Sequence, residues 1–183
     1  GLGDVYKRQV VYNSLLGSNN LVPALLDGDT LVLRVVMDNL KLLITNQWYS
    51  TIVRALSQVA GHQMDVEILT QEEIEAACRM ASVHEFILSL PDGYKTRVGA
   101  LGDNLSAGEK QRIGLARAFL RGSEWILLDE PTSNVDSINE GIILKALQEQ
   151  KRKKSILLVS HRESTMAIAD RIYRVKDGRM AEI

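Results

Sequence analysis

The sequence has little of three things, and each scarcity excludes a class of protein. It holds one cysteine, Cys78, so no disulfide framework can form within the chain and a reducing compartment is expected. No uninterrupted apolar stretch approaches the roughly 18–20 residues that a membrane helix needs, so none of the 183 residues is expected to span a membrane. The formal net charge is −1, which gives no support for a nucleic-acid partner held by bulk electrostatics. What is present is ordinary for a globular domain, with 45% hydrophobic and 25% charged residues.

The C-terminal half alternates between short apolar runs and amphipathic segments. WILLDE (125–130) and SILLVS (155–160) are continuous apolar runs, as expected for parallel strands covered on both faces. Residues 138–150 and 161–170 have helical spacing, and residues 171–183 predict two short strands around an Asp-Gly turn. This order predicts an α/β fold with a mostly parallel sheet flanked by helices.

Helix starts follow a capping-box pattern, in which a hydroxyl residue precedes a glutamate by three positions. The pattern occurs at Thr70 with Glu73, Ser106 with Glu109, and Ser137 with Glu140. Residues 71–90 therefore predict two short helices that end before Pro91-Asp92-Gly93. VPALLDG (22–28) predicts a strand that ends in a turn, whereas residues 48–105 have no strong strand signal and predict a helical insertion.

Two adjacent carboxylates, Asp129 and Glu130, follow the first apolar run. An aspartate at the carboxyl end of a parallel strand can hold Mg²⁺, and a glutamate one residue on can act as general base toward water. Strand ends also use the same residues for capping and turn formation, so the pair alone leaves both interpretations open.

Two further segments suit phosphate chemistry. The stretch around Ser106 and Gly108 opens a capped helix, whose backbone N–H groups favour an anion, although a plain amphipathic helix has the same pattern. His161 directly follows the second apolar run, and the ends of parallel strands are where α/β sheets place ligands. A histidine there is also a common helix-start residue.

Taken together, the order of these motifs resembles the nucleotide-binding domain of ATP-binding cassette (ABC) transporters. LSAGE (105–109) resembles the cassette signature, ILLDEP (126–131) resembles Walker B, and SNVD (133–136) resembles the D-loop. His161 resembles the switch histidine of that family. Residues 84–113 further resemble the exporter branch, in which this domain is usually fused behind a transmembrane domain.

The resemblance implies a P-loop NTPase-like fold, ATP and Mg²⁺ as ligands, and a set of site residues. Asp129 would serve Mg²⁺, Glu130 would activate water and His161 would hold the γ-phosphate, while Gln47 is the candidate Q-loop glutamine and a further Mg²⁺ contact. The nucleotide would also meet a second set of residues, which are Leu105, Ser106, Ala107, Gly108, Glu109 and Asp136.

The resemblance also implies partners and a location. Two such domains would close head to tail around two ATP, and the protein would act at the cytoplasmic face of the membrane, with no nucleic acid. Two alternatives stay open, a soluble cassette ATPase that works without a membrane domain and a non-hydrolysing regulatory half. The presence of both Glu130 and His161 argues against the second.

The family's phosphate loop, GxxxxGK[ST], is expected just before Val10, where GLGDVYKRQ stands instead. DVYKRQ resembles the translated end of a sequencing-library adapter. We therefore expect residues 1–9 to be non-native and residues 10–183 to be a partial domain, incomplete at the N-terminus and with little or no ATPase activity. The signature also departs from the family's usual LSGGQ at Ala107 and Glu109, and Arg97 and Ala100 stand where the family usually has glutamates, which leaves the detail of coupling to the membrane partner open.

Overall fold

A computed structural model of the chain describes residues 21–98 and 104–183. The chain divides into two compact units, Gly1–Glu75 and Ala76–Ile183. Residues 1–20 and 99–103 lie outside the described residues, and with them the position expected for the phosphate loop, Ala100 and the adapter-like segment.

The first unit contains a three-stranded sheet in the order β1-β2-β3, formed by β1 (Leu21–Asp27), β2 (Thr30–Val35) and β3 (Asp65–Thr70). The predicted strand and turn at residues 22–28 are confirmed, since β1 turns at Gly28 (φ 58°) into an antiparallel pairing with β2. β3 pairs with β2 in parallel, from Thr30 opposite Asp65 to Val35 opposite Thr70.

A helical connection joins β2 to β3. It consists of α1 (Asp38–Leu43), a π-helical turn (Ile44–Trp48) and α2 (Tyr49–Ala60), which ends at Gly61 in the left-handed region. The core of this unit is formed by buried side chains of the sheet and of the connection, namely Leu21, Leu33, Val35, Ile44, Val66 and Ile68.

The expectation that residues 48–105 carry no strand is wrong at β3. DVEILT lacks a clean two-residue alternation, because its last three residues are all buried. It becomes a strand through pairing with β2, a partner about 35 positions earlier in the sequence, which local propensity cannot reveal. The boundaries of the proposed helical insertion stay a prediction.

The two helices expected over residues 71–90 are confirmed as α3 (Gln71–Met80) and α4 (His84–Ser89). The capping box at the start of α3 is also confirmed, because Glu73 N donates to Thr70 Oγ1 at 3.2 Å and Thr70 N donates to Glu73 Oε2 at 2.9 Å.

The rest of the second unit carries the alternation expected for an α/β fold. Its elements are α5 (Ala107–Leu120), β4 (Trp125–Asp129), α6 (Ser137–Gln150), β5 (Ser155–Val159), α7 (Glu163–Met166), β6 (Tyr173–Lys176) and β7 (Arg179–Glu182). β4 and β5 pair in parallel, from Trp125 opposite Ser155 to Asp129 opposite Val159. The helix expected over residues 161–170 is confirmed only in part, since α7 has four residues.

The β4–β5 pair is buried on one face only, which corrects the expectation of strands covered on both faces. Ile126 is buried, whereas Leu127 is 71% exposed and Leu157 is 52% exposed. Because successive side chains of a strand point to opposite faces, one apolar row packs inward and the other lies open in the described structure.

The last two strands form the predicted hairpin. Lys176 pairs with Arg179, and the two turn residues, Asp177 (φ 51°) and Gly178 (φ 71°), have the positive φ of a type I′ turn. Among residues 21–98 and 104–183, no helix combines the length and the apolar character needed to cross a membrane.

Candidate functional site

Glu130 leaves the end of β4 in an unusual backbone conformation. Its φ is 46°, in the left-handed region, which costs a residue with a Cβ roughly 1–2 kcal/mol. The Glu130 N–H donates to the Val159 carbonyl at 2.9 Å, and the Ser133 N–H donates to the Glu130 carbonyl at 3.0 Å. These bonds hold a turn that is otherwise disfavoured, and such strain is common at functional sites.

The Glu130 and His161 side chains meet at the carboxyl ends of β4 and β5. Glu130 Oε1 lies 2.8 Å from His161 Nδ1. The glutamate side chain is 33% exposed and the histidine 80% exposed, so the pair lies at an accessible edge. Because Asp129 and Val159 are paired across the two strands, the residues that follow each strand are brought to the same edge of the sheet.

The second oxygen of the Glu130 carboxylate is buried and has no hydrogen-bond partner in the described structure. A buried carboxylate oxygen without a donor is costly. The carboxylate is therefore a candidate general base, with one oxygen on His161 and the other without a donor.

Asp129 is exposed at the last position of β4, and its carboxylate makes no hydrogen bond with any described residue. The described part of the chain holds no group of three or more His, Cys, Asp or Glu side chains that could by themselves bind a metal ion. Mg²⁺ bound with a nucleotide needs only one or two carboxylates, because water and phosphate oxygens complete its octahedron. The free Asp129 carboxylate beside Glu130 fits that requirement.

The predicted capping box at the start of α5 is confirmed. Glu109 N donates to Ser106 Oγ at 3.3 Å, and Ser106 N donates to Glu109 Oε2 at 2.8 Å. The glutamate that departs from the family's usual glutamine therefore completes the cap of this helix. Leu105 is half-buried, and Ala107 is exposed at the first helical position, where backbone N–H groups lack partners within the helix.

Gly108 is buried against the side chain of Asn139 in α6. A Cβ atom built at Gly108 would lie 2.5 Å from Asn139 Cγ and 2.6 Å from Asn139 Oδ1. A side chain at this position would force the Asn139 side chain to move, so the contact with α6 favours glycine here independently of any ligand.

The start of α6 differs from the prediction. Asp136, not Ser137, is the N-cap, and Asp136 Oδ1 accepts hydrogen bonds from the N–H groups of Ile138 (3.0 Å) and Asn139 (2.9 Å). The backbone N–H of Asn139, followed by its side-chain amide, lowers the pKa of Asp136 below its ordinary value. The aspartate precedes the serine, so the helix begins one residue earlier than the capping-box pattern predicts.

Asn139 joins this cap to α5. Its side-chain amide donates to Asp136 Oδ2 at 2.5 Å, and its Oδ1 accepts a hydrogen bond from the guanidinium of the buried Arg112. Asn139 therefore contacts both the helix that begins at the signature-like segment and the aspartate of the D-loop-like segment. The sequence patterns did not indicate this role. An asparagine three positions after the D-loop aspartate gives no signal of such a contact.

Glu140 is free of the capping role that the sequence assigned to it. Its Oε2 accepts from Arg162 Nη1 at 2.7 Å and its Oε1 accepts from Ser164 Oγ at 2.5 Å. Both donors belong to the segment that begins with His161, so the first turn of α6 also contacts the residues after β5.

Gln47, the candidate Q-loop residue, lies in the π-helical turn of the first unit with its side chain exposed. Its contact with Mg²⁺ stays a prediction. So do the nucleotide contacts of the signature-like residues and of Asp136.

Comparisons with known proteins identify the family of the chain. A family model described as ABC transporter matches residues 28–133, more than half of the chain. A probable ABC transporter ATP-binding/permease protein of Haemophilus influenzae is 61% identical over 112 residues, which are 61% of this chain and 20% of the relative. The ABC multidrug transporter MDR1 of Cryptococcus neoformans var. grubii is 44% identical over 122 residues, which are 67% of this chain and 9% of the relative.

A solved structure supports the same assignment. A bacterial Atm1-family ABC exporter with ATP bound matches with a TM-score of 0.56 and 38% identity, over 61% of this chain and 20% of that chain. The chain thus spans about a fifth or less of the length of these relatives. The matching family model, the relatives and the shared fold lead to one conclusion: the chain belongs to the ABC transporter family.

Proposed function

We propose that this chain is part of the nucleotide-binding domain of an ABC exporter, and that the complete protein couples ATP hydrolysis to export across a membrane. The observation that carries the proposal is the 2.8 Å contact between Glu130 and His161 at the carboxyl ends of two parallel strands. Motif order alone is compatible with a capped helix and a turn, whereas this contact places a carboxylate and an imidazole at one accessible edge.

In this proposal Glu130 is the general base that takes a proton from the attacking water. Its carboxylate accepts a hydrogen bond from the attacking water, and His161 orients the carboxylate through Oε1. When both ring nitrogens carry a proton, the exposed imidazole can also donate a hydrogen bond to the terminal phosphate. A general base of this kind contributes about 10²–10⁴-fold to a rate.

Asp129 is the proposed ligand for Mg²⁺, with Gln47 as a second contact. The ion, when bound, neutralises charge on the phosphate oxygens. Asp129 is suited to this role because its carboxylate is exposed and makes no hydrogen bond with the described residues. Ser106 and its helix N-terminus would meet the nucleotide of a second, head-to-tail domain, together with Leu105, Ala107, Gly108, Glu109 and Asp136.

The relatives support the remaining partners and the location in this proposal. The complete protein would carry a transmembrane domain fused upstream, as the name ATP-binding/permease implies for the Haemophilus relative. The nucleotide-binding domain would then lie at the cytoplasmic face of the membrane. The 183-residue chain by itself is proposed to have little or no ATPase activity.

The proposal is tested on the complete transporter purified into lipid vesicles, with Glu130→Gln compared with wild type. We expect ATP binding to be kept and hydrolysis to fall by at least about 100-fold, because the amide cannot take a proton from water. Glu124→Gln is the matched control, since Glu124 is exposed just before the same strand. It should hydrolyse ATP at the wild-type rate.

Each other outcome decides against a defined part of the proposal. Full activity of Glu130→Gln would remove Glu130 as the base. Wild-type protein that binds ATP without turnover would be a regulatory half. A complete protein that hydrolyses ATP but has no membrane segment would be a soluble cassette ATPase.

A further inference from the structure

The side chain of His161 is not held by burial. It is 80% exposed, and the contact of its Nδ1 with Glu130 Oε1 depends on where the backbone after β5 places the ring. The position of this segment therefore decides whether the two side chains meet.

Hydrogen bonds fix the segment on both sides of the histidine. Before it, Ser160 Oγ accepts from the Arg162 N–H at 3.2 Å and donates to the buried Thr165 Oγ1 at 3.3 Å. After it, Arg162 and Ser164 both donate to the Glu140 carboxylate, at 2.7 and 2.5 Å. Glu140 is the one carboxylate in this set, and it reaches the segment from a different element, the first turn of α6.

The Glu140 side chain is only 15% exposed. Charge-assisted hydrogen bonds from a guanidinium are short and strong, and partial burial reduces their screening by solvent. Two donors on two different oxygens also fix the orientation of the carboxylate, which a single bond would leave free to rotate.

We propose that Glu140 is a positioning residue, which holds the Arg162–Ser164 segment so that His161 faces Glu130. The inference deepens the proposed function and rests on it, since it concerns how the same site is held. Glu140 touches neither His161 nor Glu130 in this set of contacts and acts through Arg162 and Ser164. It thereby links the D-loop-like end of α6 to the histidine.

The experiment measures the chemical shifts of the histidine ring nitrogens by NMR and does not measure ATP turnover. The 183-residue chain is labelled with ¹⁵N and ¹³C in histidine, of which it has three, His62, His84 and His161. His161→Gln assigns the signals. In wild type, a ring held at Nδ1 by Glu130 gives two well-separated ring-nitrogen shifts, whereas a free ring exchanges between tautomers and gives averaged shifts.

Glu140→Gln is expected to reduce the separation of the two His161 ring-nitrogen shifts. Glu130→Gln, which removes the direct partner of the ring, is expected to do the same. Glu149→Gln, an exposed glutamate on the same helix, is the matched control and should leave the His161 signals at their wild-type positions. His84 reports on folding within the same unit, because its Nδ1 lies 2.8 Å from the Tyr94 hydroxyl. Its signals should not move in any of these variants.

His161 signals at wild-type positions in Glu140→Gln, with His84 unchanged, would overturn the proposal. If the His84 signals collapse, the variant has unfolded and Ser164→Ala decides instead. That change removes one of the two hydrogen bonds to Glu140, so it should reduce the separation of the His161 ring-nitrogen shifts by less than Glu140→Gln would. An unchanged separation would overturn the positioning role. This experiment does not measure ATP turnover, so its result does not depend on whether the proposed function is correct. The proposed function is tested separately, by ATP hydrolysis of Glu130→Gln in the complete transporter.

Discussion

Glu130 and His161 are 31 residues apart in the sequence, and Glu130 Oε1 and His161 Nδ1 lie 2.8 Å apart in the structure. The parallel pairing of β4 with β5 produces this contact, because it brings the carboxyl ends of both strands to one edge. The glutamate reaches the histidine from a backbone conformation that is unfavourable for any residue with a Cβ. The same residue thus combines the proposed catalytic role with a cost in stability.

Glu130→Gly should stabilise the chain while removing the proposed base. Relief of backbone strain contributes about 1–2 kcal/mol. The added flexibility of the unfolded chain costs about 0.5–1 kcal/mol, so the net gain is between about 0 and 1.5 kcal/mol. The free energy of unfolding is measured by urea denaturation of the 183-residue chain. Asn134→Gly is the control, since Asn134 also has positive φ (59°) but asparagine tolerates it better, so its gain should be smaller. A net loss of stability in Glu130→Gly would mean that the side-chain contacts outweigh the strain.

Gly108→Ala should destabilise the chain by about 1–3 kcal/mol, because the new methyl group would overlap the Asn139 side chain. Gly114→Ala is a matched control on the same helix, with nothing within 4 Å of its added Cβ. It should gain about 0.5–1 kcal/mol from the higher helix propensity of alanine. Shortening the neighbour in Gly108→Ala/Asn139→Ala should recover part of the loss in urea denaturation. Equal effects of the two glycine substitutions would contradict the proposed close contact.

Thr132→Val should be neutral or stabilise the chain by up to about 1 kcal/mol, because a buried hydroxyl without a partner costs free energy and valine keeps its shape. Thr132 is fully buried, and its Oγ1 has no hydrogen-bond partner in the described structure. Thr165→Val is the matched change, because the buried Thr165 hydroxyl accepts a hydrogen bond from Ser160 Oγ. This variant should lose about 1 kcal/mol of unfolding free energy. Differential scanning calorimetry compares the two. A loss in Thr132→Val as large as in Thr165→Val would reveal a bound water at Thr132.

Glu73 should make the stability of the chain depend on pH in the acid range. Burial alone would raise its pKa, but hydrogen bonds from Lys41 Nζ (2.5 and 2.6 Å) and from the Thr70 N–H (2.9 Å) lower the pKa below its ordinary value. A carboxyl whose pKa is lower in the folded state stabilises that state above its unfolded pKa, and the contribution is lost as pH falls through the folded value. Glu73→Gln should therefore lower stability near neutral pH and flatten the fall in stability below about pH 4.5.

Urea denaturation followed by circular dichroism between about pH 3 and 7 measures this difference. Glu72→Gln is the control, since the neighbouring Glu72 is exposed. Its curve should follow wild type across the range. An unchanged slope in Glu73→Gln would show that the Lys41 and Thr70 contacts do not persist in solution.

The sequence predicted the parts of the fold that neighbouring residues determine. The hairpin at Asp177-Gly178, the capping boxes of α3 and α5, and the strands that lead to Asp129 and to the residue before His161 all follow from patterns a few residues long. Capping and turn formation are satisfied by hydrogen bonds between residues close in the chain, so local sequence is enough to identify them. The order of these motifs was also enough to recognise the family.

Tertiary structure alone decided which residues contact one another across the fold. DVEILT is a strand because β2 pairs with it, and glycine is favoured at position 108 because the Asn139 side chain packs on it. Glu140 has the spacing of a capping partner for Ser137, yet its carboxylate binds Arg162 and Ser164 because Asp136 caps the helix one residue earlier. Each of these outcomes depends on a partner at least 20 positions away or on competition between two adequate caps. A pattern of neighbouring residues carries no information about either.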